Sequence, residues 1–301
     1  MQENRLALSR AREGFVPVSG GRVWYRIVGD GAGIPLLLIH GGPGVPHDYL
    51  EPLGALGDDR PVVFYDQLGC GRSDRPDDPG LWRLERFVAE AAQLRAALGL
   101  ERVHILGQSW GTILATEYLL GKPSGVASVV MANPCVSVPK YLEDLERLCA
   151  DLPAAAREVI ARAEAQGDTE TPEYQIASFE FYRRHVCRLQ TWPEALNRSV
   201  AGMGAQPYLT MWGANEFTCT GNLREYDGTA GLREIAIPTL FLAGRFDETT
   251  PESTAWYQSL VPGSELAIFE NSSHMPQLEE PARYLSVVRD FLRRAERRHT
   301  G

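Results

Sequence analysis

Ser109, Asp247 and His274 occur along the chain in an order that could run acyl-transfer chemistry. A serine hydroxyl is a weak nucleophile at neutral pH and needs a base within hydrogen-bond reach. An imidazole serving as that base needs a carboxylate to fix its tautomer and to stabilise the imidazolium it becomes. Ser109 stands in Gly107-Gln108-Ser109-Trp110-Gly111. The apolar run before it (102–106) reads as a buried strand, and the stretch after it (112–120) as a helix. A strand that turns sharply into a helix needs small residues at both shoulders, which Gly107 and Gly111 supply. The turn lifts the hydroxyl clear of the sheet and aims the first helical N–H groups at whatever binds beside it. In a chain with 29 glycines the pentapeptide alone proves little. A plain Gly-rich turn is the bland alternative, and the strand–turn–helix context is what lowers it.

The elements that must hold these residues are visible in the apolar pattern. Residues 14–28 alternate around Gly20-Gly21, as an edge hairpin does. Residues 35–39 and 61–65 are apolar without alternation, the mark of strands covered on both faces. Leu81, Leu84, Val88, Ala91, Leu94 and Leu98 fall at helical spacing, with Gly99 closing the helix. A strand at 126–131 follows the helix after Ser109. This alternation predicts an α/β fold with a mostly parallel sheet and helices on both faces. The pattern breaks at about residue 136. From there to about 225 no buried strand is evident, and helices are expected at 141–150, 153–166, 172–188 and 193–200. The sheet resumes at 238–243, followed by a helix near 252–260, a strand at 265–269 and an amphipathic helix over 281–294. The arginines at that end (Arg293, Arg294, Arg297, Arg298) suit a helix C-terminus. The expected division is a core of residues 1–135 and 226–301, with a helical cap inserted at 136–225.

In a parallel sheet, groups that meet a ligand belong on loops at the carboxyl ends of strands. Asp247 follows the strand at 238–243 and His274 the strand at 265–269. The order Ser, Asp, His is that of the α/β-hydrolases. The other histidines fit the role of base less well. His40 precedes a Gly-rich loop, His104 lies within a strand, His185 in a cap helix, His299 at the tail, and His47 after the wrong strand. The loop His40-Gly41-Gly42-Pro43-Gly44 has its own chemical use. A tetrahedral intermediate carries an oxyanion that needs two N–H donors. Trp110, next after the serine, can give one, and Gly42 or its neighbour Gly41 the other. The loop lacks both the lysine and spacing of a P-loop and the G-x-G-x-x-G of a dinucleotide site.

The formal charge of −9 over 301 residues argues against a nucleic-acid partner. No apolar run approaches a membrane span, and residues 1–5 lack the apolar core of a signal peptide. The five cysteines are scattered and odd in number, as free thiols of a reducing, cytoplasmic setting are. Neither a metal nor a cofactor is expected.

The runs HGGPG (40–44), DQLGCGRSD (66–74), GQSWG (107–111), GRFDETTP (244–251) and SSHMPQLEEP (272–281) together resemble the proline iminopeptidases of the α/β-hydrolase fold. The likeness extends from about residue 14 to 295 and includes MWGANEF (211–217), similar to a signature of that family's cap, with Ala214 where a proline is common. The resemblance implies a triad of Ser109, Asp247 and His274. It also implies that Glu216 and Glu248 hold a substrate's free amine, and that the reaction removes an N-terminal residue through an acyl-enzyme. Such families also include amino-acid amidases and enzymes that strip an aminoacyl group from a non-peptide amine. An esterase or lactonase on the same scaffold is the further alternative, because ester and amide hydrolysis share these parts.

Overall fold

The computed structural model describes residues 12–298; His299 lies outside them. The chain opens with strands β1 (Arg12–Val18), β2 (Gly21–Val28) and β3 (Leu36–Ile39), then a 3-10 helix over His47–Asp58, which the apolar pattern did not reveal. There follow β4 (Val62–Tyr65), α1 (Leu84–Ala97), β5 (Val103–Gln108), α2 (Trp110–Leu120) and β6 (Val126–Ala132). Between β6 and the next strand of the main sheet come α3 (Val138–Ala150), α4 (Ala154–Gln166), α5 (Pro172–Phe181), a π-helical turn at Tyr182–Val186, α6 (Glu194–Ala201) and α7 (Ala205–Met211). They are succeeded by the short strands β7 (Gly213–Asn215) and β8 (Thr218–Cys219), and by α8 (Thr229–Leu232). The chain closes with β9 (Thr239–Gly244), α9 (Pro251–Ser259), β10 (Glu265–Phe269), α10 (Pro276–Glu279) and α11 (Pro281–Arg298).

Among the described residues, eight strands form one sheet in the order β1-β2-β4-β3-β5-β6-β9-β10. The pairs β1–β2 and β2–β4 are antiparallel and all others parallel. Successive side chains of a strand point to opposite faces, so each central strand feeds two cores. Leu37, Ile39, Ile105 and Phe241 pack with Phe87, Leu94 and Ile113 of α1 and α2. Leu36, Leu38, Leu106 and Leu240 pack with Leu50 and Leu53 of the 3-10 helix and with Val288 and Phe291 of α11. Burial on both faces is why these strands carry no polar alternation.

Two expectations need correction. Helix 172–188 is shorter: α5 gives way to the π-turn, and the chain is extended at Cys187 (φ −148°, ψ 117°). The stretch 136–225 also holds strands after all, in the β7–β8 hairpin. Strands of three and two residues are too short to show a period. The ends of this helical insertion are tied together: the Val138 N–H donates to the Tyr226 carbonyl (2.9 Å), and the Gly228 N–H to the Val136 carbonyl (2.9 Å).

Candidate active site

Ser109 sits at the tip of a turn between β5 and α2 with φ 55° and ψ −122°, a conformation rare for any residue with a side chain. The shoulders explain how it is held. A Cβ on Gly107 would stand 2.3 Å from the Gly111 carbonyl oxygen, and one on Gly111 would stand 2.2 Å from that of Ile39. Only glycine lets the helix start this close to the sheet.

Asp247 and His274 lie on the loops after β9 and β10, at the same edge of the sheet. His274 Nδ1 is 2.7 Å from Asp247 Oδ1. The carboxylate is fixed from its other sides: Oδ1 accepts from the Thr249 N–H (3.0 Å), and Oδ2 accepts from the Asn133 amide and, at 3.4 Å, from the Gly244 N–H. Asn133 follows β6 and holds a left-handed φ of 50°; nothing in the sequence marked it. His274 adjoins the serine turn, since the Gln108 amide donates to its carbonyl at 3.4 Å. Among the described residues no hydrogen bond joins His274 to the Ser109 hydroxyl; its Nε2 instead faces Glu248 Oε1 at 3.6 Å. Catalytic hydrogen bonds are often loose in a free enzyme and tighten with substrate. Burial alone would depress the imidazole, but Asp247 and then Glu248 more than offset it and raise its pKa to about 9.

The two glutamates converge on this histidine. Glu248 is buried. It does not cap α9, a task taken by Thr250, whose hydroxyl accepts from the Ser253 N–H at 3.2 Å. Burial raises the Glu248 carboxyl well above the usual range, and Glu216 and Asp247 raise it further against the pull of His274. The Tyr141 hydroxyl lies beside it and pulls it partly back, without reaching full hydrogen-bonding geometry. Both the Tyr141 hydroxyl and Glu248 Oε2 are therefore buried without a partner among the described residues. Glu216, between β7 and β8, is partly buried and accepts from the Tyr208 hydroxyl (3.0 Å). Its carboxyl too is raised by burial, with His274 and Tyr208 pulling it partly back.

The Gly-rich loop after β3 comes up beside the serine. The Gly41 N–H is taken by the Tyr49 hydroxyl at 2.7 Å, whereas the Gly42 N–H has no partner among the described residues. Trp110 is the first residue of α2, so no helical carbonyl lies a turn behind its N–H. Of the two glycines left open by the sequence, Gly42 is the one with a free donor. His40 shapes the loop from below. Burial lowers its pKa to about 4, and its neutral ring accepts from the Gln67 N–H at 2.9 Å.

Gly42, Ser109, Trp110, Cys135, Tyr141, Trp212 and Glu216 line a cavity of about 240 Å³, including the space at its mouth. Tyr141 and Trp212 come from the helical insertion, and their rings meet edge to face at 5.4 Å. A larger open hollow around Arg95, Glu101, Tyr118 and Ser124 lies at the amino ends of β5 and β6, away from these loops. There Arg95 is spent on the carbonyls of Leu100, Glu101 and Ser124, a structural clasp. His47, Asp48 and Glu51 are close enough to hold a cation. Arg198 already bridges both carboxylates, and His47 Nδ1 pairs with Asp66 at 2.7 Å, so the cluster latches α6 to the core.

A family model described as alpha/beta hydrolase fold matches residues 34–281. A proline iminopeptidase of Heyndrickxia coagulans is 50% identical over 282 residues, which is 93% of this chain and 98% of the relative. The crystal structure of VinJ superposes with a TM-score of 0.92 at 38% identity, covering 94% of this chain and 99% of VinJ. That of the proline iminopeptidase of Mycobacterium smegmatis superposes with a TM-score of 0.88 at 36% identity, covering 94% and 98%.

Proposed function

The chain belongs to the proline iminopeptidase family of α/β-hydrolases, serine-type aminopeptidases, and we propose that it removes an N-terminal residue, proline foremost, from short peptides with a free amine. In this reading His274 takes the proton of Ser109, Ser109 attacks the carbonyl carbon, and Asp247 holds the imidazole in the required tautomer. The N–H groups of Gly42 and Trp110 receive the oxyanion. His274 then protonates the leaving amine and activates the water that hydrolyses the acyl-enzyme. Residues 136–225 act as the cap that roofs the acyl side.

The observation that carries the amine requirement is a pair of carboxyls, Glu216 in the cavity wall and Glu248 against His274. A buried carboxylate is costly unless it is paired, yet Glu248 Oε2 and the neighbouring Tyr141 hydroxyl have no hydrogen-bond partner among the described residues. The two or more N–H groups of a substrate ammonium would satisfy Glu248 and Glu216 together. An esterase for neutral substrates has no use for such a pair. The unpaired cysteines support a cytoplasmic setting. The test is a panel of aminoacyl naphthylamides, each with a free and an acetylated amine. Turnover should require the free amine and be fastest for proline. Equal turnover of acetylated substrates would overturn the aminopeptidase reading in favour of an esterase or general amidase.

A further inference from the structure

Beneath the Gly-rich loop runs a buried polar chain that the reaction just described does not use. The Gly41 N–H donates to the Tyr49 hydroxyl (2.7 Å), the Tyr49 hydroxyl donates to Gln108 Oε1 (2.6 Å), and the Gln108 amide donates to the His274 carbonyl (3.4 Å). The sense of the chain is fixed by its ends. A backbone N–H can only donate and a carbonyl can only accept, so the hydroxyl proton must go to Gln108 and the amide N–H groups toward His274. Tyr49 and Gln108 are each 1% exposed, so water does not compete for these bonds. The packing leaves little slack: a Cβ on Gly41 would stand 2.7 Å from Gln108 Oε1 and 3.1 Å from Ser109 Cβ. Tyr49 is itself anchored to α6. Its N–H donates to Ser199 Oγ (2.9 Å), which donates to the Pro46 carbonyl (3.0 Å).

We propose that Tyr49 is a positioning residue of the oxyanion hole, keeping the Gly41 N–H out of it so that the Gly42 N–H faces the reacting oxygen, and tying that loop through Gln108 to the residue that carries the base. Gly41 and Gly42 are free to swing about their backbone bonds, lacking a Cβ. Pinning the Gly41 N–H removes one of those freedoms, and preorganised donors stabilise a transition state because they need not reorient during the reaction. The proposal rests on the reading of Ser109 as nucleophile and Gly42 as donor.

Tyr49→Phe deletes the hydroxyl and little else. With prolyl naphthylamide, kcat should fall by about 10- to 100-fold, less than the roughly 10²–10³ for deleting a donor outright, while KM changes by less than about threefold. Affinity for a prolyl boronic acid, whose tetrahedral adduct places an oxygen in the hole, should fall with kcat/KM. Gln108→Met should show the same pattern, and the double variant should lose no more than the larger single loss, because groups acting as one unit are not additive. The Gln108 variant carries the test if Tyr49→Phe does not fold. A merely structural role would lower Tm and leave kcat and boronate affinity alone. That outcome overturns the proposal, as does a rise in kcat, which would mean that the Gly41 N–H had joined the hole. Labelling by a fluorophosphonate separates the two levels of inference. Wild-type protein unlabelled at Ser109 defeats the underlying reading, whereas labelled protein with an unaffected Tyr49→Phe variant defeats this proposal alone.

Discussion

Replacing Glu248 by glutamine keeps the side chain's volume and removes one buried charge, with two effects of opposite sign. The substrate ammonium loses a charge-assisted contact worth about 1.5–3 kcal/mol where water is excluded. At about 1.4 kcal/mol per decade, kcat/KM for prolyl naphthylamide falls by roughly ten- to a hundred-fold. His274 meanwhile loses a carboxylate 3.6 Å from its Nε2. Burial depresses this imidazole, and Asp247 and Glu248 together raise it to about 9, so with Glu248 neutral the pKa must fall. The unprotonated ring is the form that accepts the Ser109 proton, and activity therefore rises as pH passes this pKa. The acidic limb of the pH profile should move to lower pH by about one unit, equivalent to about 1.4 kcal/mol. A substrate with no amine feels only the second effect. The p-nitrophenyl ester of cyclopentanecarboxylic acid has the ring of proline without its nitrogen, and the variant should hydrolyse it at pH 7 as fast as the wild type or faster. The assay is kcat/KM for both substrates from pH 5 to 10. Equal losses on the two substrates, or an acidic limb that stays in place, would refute the reasoning.

Ser109→Ala should fold normally, since the hydroxyl makes no hydrogen bond among the described residues, and should lose several orders of magnitude in turnover; calorimetry and turnover together check it, and activity within tenfold of wild type ends the serine mechanism. Asp247→Asn should keep the shape of the site but favour the wrong imidazole tautomer, lowering kcat by about 10⁴; a loss below tenfold would show that another group orients His274. Gly111→Ala should destabilise the fold by about 3 kcal/mol or more, because its Cβ would meet the Ile39 carbonyl at 2.2 Å. Gly54→Ala, whose nearest neighbour would be 3.8 Å away, should have far less effect, and chemical denaturation of the two variants side by side decides the point.

Much of the parallel sheet could be read in advance because burial on both faces forces continuous apolar runs such as Leu36–Ile39 and Val62–Tyr65. Ser109, Asp247 and His274 could be picked out because each follows such a run at the edge where loops gather. The 3-10 helix over His47–Asp58 was not legible, and with it went Tyr49. No apolar period marks it, and the Tyr49 hydroxyl acquires its contacts only by meeting Gly41 and Gln108, eight and 59 positions away. Asn133 escaped for a similar reason: an asparagine after a strand carries no signal until Asp247, 114 positions on, lies against it.

The sequence by itself determined the order of the main-sheet strands and of most of the helices beside them, the glycines that the serine turn cannot do without, and the loops on which Ser109, Asp247 and His274 stand. These follow from local sterics and from the period of apolar residues, both written in neighbouring positions. The tertiary structure alone decided that, among the described residues, the Gly41 N–H is taken and the Gly42 N–H is not, that Thr250 caps α9, and that Glu248 meets His274 Nε2 beside a Tyr141 hydroxyl with no partner among those residues. Hydrogen-bond partners, burial and shifted pKa values depend on what distant segments bring to the same few ångströms, and no local pattern of residues records that.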